Sequence, residues 1–438
     1  MWLGQQSGAS VEDDGSDSAC AAWAVFLSSR CDCMGEMLIQ PFAAVRPRPE
    51  LAAQICAPPY DVVSTEEARR LAGDNPLCFL RVSRPEIEFP PGTDPYRPEV
   101  YAQGRARFEE LLRKGALFVD SRPAFYLYRL SMGGHVQRGL VAVASCAAYL
   151  RGDIRRHELT RPDKEDDRVR HIEALNAQTG PAYLIYRAIP ELDAFLARRA
   201  QGLPEVDFVA EDGVRHTAWT LGDAEAMELV RRCFAAVDRL YIADGHHRTA
   251  AAARVYQRRG GAGGSSHFLA VLFPHDQLRI LPYHRVVRDL NGLSPGQLLE
   301  RLRSVGDLSE GDGRPPRPHE VDLFLEDRWH RLRFRQVPDP ERDPLGCLDV
   351  SLLQERVLRP FLGVEDPRTC ARLEFVGGVH GPGRLEDLVR RGEAACAFAL
   401  HPTGMEQLLD IADRGQIMPP KSTWFEPKLR DGMFSHLL

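Results

Sequence analysis

Four apolar or β-prone residues, Leu240, Tyr241, Ile242 and Ala243, lead into Asp244-Gly245, and an alanine-rich run follows directly. The pattern predicts a strand, a tight turn and a helix over residues 240–254. Other stretches carry similar signals. Residues 38–45 read as a short strand stopped by the prolines at 47 and 49, with a helix opening at Glu50. Val100, Phe108, Leu111 and Leu112 recur at helical spacing, which predicts a helix over 99–115. Residues 124–130 and 136–144 flank Gly133-Gly134 as a hairpin. Residues 182–186, 267–273 and 277–287 read as strands, and 190–228 as connecting helices and loops. A Gly/Pro/Arg-rich segment at 311–318 reads as a linker. Beyond it strands (322–325, 372–376, 394–400) alternate with helices (348–358, 385–391, 405–414). The expected class is α+β, or mixed α/β.

A length of 438 residues predicts more than one domain. With 44% hydrophobic and 27% charged residues the chain is of ordinary globular composition. Its net charge of −6 argues against nucleic-acid binding by bulk electrostatics. No apolar run is long enough to span a membrane. The ten cysteines lack metal-type or redox-type paired spacing, which fits scattered thiols in a cytoplasmic protein. Residues 1–36 are acidic and turn-rich, and read as a disordered extension with Met37 the better candidate for initiation.

The turn at 244–249 concentrates the chemistry. The first amides of a helix lack partners and attract anions. His246, His247, Arg248 and Thr249 crowd donors around them, with Gly245 allowing close approach. Asp244 is suited to hold a divalent cation, or only to cap the helix. Two adjacent histidines do not share a helix face, so a zinc pair at i and i+4 is absent here. Ala57-Pro58-Pro59-Tyr60-Asp61 is a stiff turn that would aim Tyr60 and Asp61 at a pocket or merely brace itself. His157, Thr160 and Arg161 precede the Pro162 break as a candidate anion-binding or lid element. Lys421, Ser422 and Thr423 lie on a Pro-bounded loop that can hold phosphate or carboxylate.

The Asp244-Gly245-His246-His247-Arg248 turn resembles the signature of the ParB/sulfiredoxin-like superfamily, most closely its ADP-dependent free serine kinases. Residues 414–423, from Arg414-Gly415 through Pro420-Lys421-Ser422-Thr423, resemble the segment by which those kinases hold serine or phosphoserine. Over residues 37–438 the chain is also similar to a bacterial family of unknown function, number 1015. That similarity rests on the phrases at 57–63, 157–164, 174–181, 244–248 and 421–428. The resemblance implies a phosphate-binding core over 37–310 with inserted elements, and a C-terminal α/β part over 311–438 that binds substrate. It further implies a phosphotransferase acting on free serine or phosphoserine with ADP or ATP and magnesium. In that reading Asp244 holds the metal, Gly245 to Thr249 hold phosphate, His247 and Glu50 act in catalysis with Glu50 as base, and Lys421 to Thr423 hold the amino acid. Two alternatives stay open: a regulatory protein that binds a nucleotide or phosphometabolite without turning it over, and a ParB-like DNA-associated protein. The second is disfavoured by the acidic balance and the lack of a helix-turn-helix.

Overall fold

The computed structural model describes residues 37–438, of which 38–438 form one compact unit. The expected disordered extension at 1–36 lies outside the described residues. The fold is α+β. Its largest element is a mixed nine-stranded sheet. Eight strands run Ile154–Arg155, Leu240–Asp244, Ala182–Tyr186, His267–Pro274, His135–Ser145, Phe125–Met132, Arg215–Leu221 and Val206–Val209 in spatial order. The ninth, Ile39–Gln40, pairs with His135–Ser145. The central strands are buried along almost their whole length, as in Ala182–Tyr186 and His267–Pro274, so their sequences are near-continuous apolar runs.

A six-stranded antiparallel sheet runs Gly306–Glu310, Arg328–Phe334, Glu320–Leu325, Cys396–Leu400, Tyr283–Val287 and Leu373–Gly377. The segment expected as a linker at 311–318 joins two strands of this one sheet. The sheet also takes in Tyr283–Val287, well before residue 311. The stretch 277–287, expected as one strand, is two: Arg279–Leu281 pairs with Trp424–Glu426, while Tyr283–Val287 enters the six-stranded sheet. Pro282 separates them, since proline has no amide for a ladder.

The C-terminal tail returns to the first sheet's side of the chain. Asp431 bridges to Ala57 and Ser435 to Val45, and His436–Leu437 pairs with Ala177–Gln178. The Asn176 side chain then donates to the Leu438 carbonyl. No helix among the described residues is long and apolar enough to cross a membrane, and the seven described cysteines are free thiols.

One carboxyl in the six-stranded part sits in an unfavourable place. Asp349, at the start of the helix Asp349–Leu353, accepts from the His319 amide at 2.7 Å through Oδ1, but its Oδ2 is buried without a partner. Burial raises its pKa to about 7, against the pull of the His319 amide and with added repulsion from Glu320. The folded chain therefore holds this proton more tightly than the unfolded one, and stability falls as pH rises from about 4 to about 7. Asp349→Asn keeps the Oδ1 acceptor and removes the charge. It should be more stable than the wild type by about 2 kcal/mol at pH 8, a gain that disappears towards pH 4. Urea midpoints at the two pH values measure this.

Candidate functional site

Two parallel strands build the floor. Ile154–Arg155 pairs in parallel with Leu240–Asp244, with Ile154 opposite Leu240 and Arg155 opposite Tyr241. Chains leaving the same end of parallel neighbours arrive together, which is where open α/β sheets place ligands. His157 and Glu158 leave the first strand; Gly245 and His246 leave the second. Gly245, at φ 89°, then turns the chain into the helix His246–Arg259. A Cβ there would also meet the Ala182 Cα at a tight 3.3 Å, so the positive φ and the close approach both favour glycine.

The helix start is open. No side chain caps it, and its first intrahelical bond runs from the Thr249 amide to the Gly245 carbonyl. The amides of His246, His247 and Arg248 precede that bond and face forward with the positive end of the helix dipole. Asp244 is not the cap; its Oδ1 accepts from the Gly245 amide at 2.7 Å, and its Oδ2 accepts from Lys428 Nζ at 2.8 Å. Burial alone would raise this carboxyl, but Lys428 and Arg248 outweigh it and hold it well below the usual carboxylate range.

In front of this turn lies a cavity of 740 Å³. Gly245, His246, His247, Tyr60, Asp61, Arg161, Lys421 and Thr423 line it, together with Asp244 and Lys428. Segments separated by nearly the whole chain thus meet at one place. Tyr96, Tyr101, Tyr283, Phe375 and Trp424 add aromatic surface. Lys421 lies 5.5 Å from the Tyr283 ring centroid and makes no ion pair among the described residues. Its backbone is held at φ 54° while Arg285 donates to the carbonyls of Pro420 and Lys421 at 3.2 and 3.1 Å. Arg285 is itself buried, which pulls its pKa down to about 9.

The histidines here are neutral bases near pH 7. His247 Nε2 accepts from the Arg161 amide at 3.0 Å, which leaves Nδ1 to carry the proton. Burial lowers its pKa further. His157 is brought down to about 4 by burial, and His246 falls well below the ordinary value by burial and then by its neighbour His157.

Several expected site residues do not reach the cavity wall. Glu50 is exposed in the 3-10 turn Pro49–Leu51 and is absent from the lining, so it does not stand where a base acting in this cavity must. Thr249 is buried and donates back to the Gly245 carbonyl at 3.2 Å. Ser422 is buried, with its hydroxyl on the Pro419 carbonyl at 2.6 Å. Thr160 donates to Glu165 at the start of the next helix. Arg248 points away from the large cavity and lines a smaller one with Tyr60, Arg168, Gly180 and Asp431. It holds Asp61 by 2.9 and 3.1 Å bonds and also donates to the Pro181 carbonyl. Conversely Glu158, Lys428, Arg168 and Tyr283 line the large cavity although no local pattern singled them out. Lys428 pairs across 184 residues, a distance at which one sequence offers no signal.

The fold and cavity define an α+β protein in which an uncapped helix N-terminus opens on a large cavity. The sequence matches the family described as Protein of unknown function (DUF1015) over residues 39–351, and the chain belongs to that family. No curated protein matches the sequence. Among solved structures the chain is similar to a free serine kinase in complex with AMP (14% identity, TM-score 0.34), covering 65% of this chain and 86% of that one. It is similar also to a conserved hypothetical protein from Pyrococcus furiosus (14% identity, TM-score 0.32, 66% and 93% covered). A C-terminally truncated SbnI from Staphylococcus aureus shows 12% identity and a TM-score of 0.35, with 66% and 85% covered.

Arg248 is buried and donates to the Pro181 carbonyl as well as to the exposed Asp61, so Arg248→Met leaves that carbonyl without its partner and should lower stability by about 1–2 kcal/mol in urea unfolding. His247→Ala, at a half-buried position, should cost less than about 1 kcal/mol.

Proposed function

We propose that this chain is a cytoplasmic, nucleotide-dependent phosphotransferase acting on free serine or phosphoserine. The observation that carries this reading is the convergence on one cavity of an uncapped helix N-terminus and the unpaired Lys421, brought there from opposite parts of the chain. Phosphoryl transfer depends mainly on positioning and on stabilising charge, which these groups supply. The amides from His246 onward and the Nδ1–H of His247 receive phosphate oxygens. Lys421 and Thr423 receive the amino acid or its phosphate, and the aromatic wall takes the base of ADP or ATP.

Asp244 does not fit a standing magnesium site, because the Lys428 ammonium already occupies its outward oxygen. Magnesium in this reading arrives on the nucleotide phosphates, its usual carrier. Tyr60 shapes the wall, while Asp61 is committed to Arg248. A regulatory protein that binds the same ligands without turnover is the second reading, favoured by the exposed position of Glu50.

Phosphorus NMR with magnesium and either ADP or ATP plus serine, or AMP or ADP plus phosphoserine, tests the proposal. Exchange of the phosphoryl group should appear in the wild type, vanish in His247→Ala and slow about 100-fold in Lys421→Ala. Saturable nucleotide binding with no exchange for any pair would overturn the phosphotransferase and leave the regulatory reading.

A further inference from the structure

His157, Glu158 and His246 form a cluster that the anion site leaves unused. One ligand-type atom from each lies within 4.8 Å of the others. The two imidazoles meet edge to face with centroids 4.6 Å apart. His246 is 8% exposed, and its Nε2 is sealed from solvent with no hydrogen-bond partner. An orphaned buried nitrogen is costly, and nothing in ring packing compensates it. The cluster lies where the two parallel strands release their chains, so its backbone is fixed by the largest sheet. His157 is held further, since its carbonyl accepts from the Met418 amide at 2.8 Å and Thr423 Oγ1 lies 3.3 Å from its Nε2. Glu158 and His246 both line the large cavity.

Two imidazoles and one carboxylate are the donor set that zinc-class divalent ions prefer, and magnesium does not. We propose that His157, Glu158 and His246 bind one divalent transition-metal ion of the zinc class, with its open coordination position facing the cavity. This gives His246 Nε2 a partner and sets a second positive charge beside Lys421. The site is distinct from Asp244, whose oxygens are already engaged. The inference does not rest on the phosphotransferase reading, because the ion is titrated without nucleotide or serine.

The test uses full-length, tag-free protein stripped with a chelator and titrated with Co²⁺, then with Zn²⁺ in competition. The wild type should take up one equivalent of Co²⁺ with visible d–d absorption that Zn²⁺ displaces. Outer-shell changes at metal sites typically weaken binding by about 10- to 100-fold, so loss of a direct ligand should cost at least about 100-fold. Glu158→Gln, a near-isosteric change at a half-buried position, and His246→Ala should both show that loss. Far-ultraviolet circular dichroism on Glu158→Gln separates lost binding from lost folding. Absence of stoichiometric uptake by the wild type overturns the site. So does uptake that is unchanged in folded Glu158→Gln, or a thiolate-to-cobalt charge-transfer band, which would assign the ion to cysteines instead.

Discussion

The guanidinium of Arg248 is the constraint on which the site's geometry depends. A buried cation is tolerated when it is paired and hydrogen bonded, and Arg248 engages Asp61 and the Pro181 carbonyl through its two terminal nitrogens while its Nε has no partner. Those partners belong to the stiff 57–61 turn and to the turn before Ala182–Tyr186. Burial alone would lower the arginine's pKa; Asp61, Asp244 and Tyr60 reverse that and keep it charged. Asp431 from the tail lies in the same cluster, accepting from the Tyr60 amide at 3.2 Å, and its carboxyl is raised to about 7 by burial despite Arg248. One side chain in the first turn of the helix His246–Arg259, not on the wall of the large cavity, therefore ties together the helix N-terminus, Tyr60 and the tail.

With Arg248 facing inward, the cavity's field comes from few sources. Asp244 and Lys428 cancel each other, Arg168 is paired with its neighbour Asp167, and Arg161 is paired with Asp163. The histidines of the turn are neutral. What remains is the helix dipole with Lys421 and Lys164, neither of which makes an ion pair among the described residues, set against the Glu158 carboxyl, whose pKa burial raises. An anion held there meets preorganised charge, and little has to move when it arrives.

Legibility in the sequence followed locality. The strand Ala182–Tyr186 and the hairpin about Gly133-Gly134 were readable because period and turn chemistry lie within a few residues. Arg215–Leu221 was not, because its His216 and Thr217 look exposed yet are fully buried in the sheet. The strand, turn and helix about 244–248 were readable from their own residues, and so was the Pro-bounded loop that carries Lys421 to the cavity. The direction each side chain takes was not local information. Arg248 turns inward because Asp61 awaits it, Ser422 because the Pro419 carbonyl does, and Lys428 finds Asp244 only after the tail folds back. Glu50 carried an assignment by resemblance alone, and it stands in an exposed turn outside the cavity lining.

The returning tail decides when the site exists. Met418 hydrogen bonds to the His157 carbonyl, Arg285 shapes the Lys421 backbone, Lys428 closes on Asp244, and Asp431 and Ser435 pair with residues near the start of the described chain. Each contact joins segments far apart in sequence, so none forms without the rest of the fold. The conformational entropy of ordering the site is thus lost at folding rather than at binding, and a ligand entering the cavity meets groups already in place. A loop that had to order around its ligand would give up affinity to that ordering. Strapping the Lys421 loop to both sheets removes the penalty, at the cost of making the cavity sensitive to any change that loosens the tail.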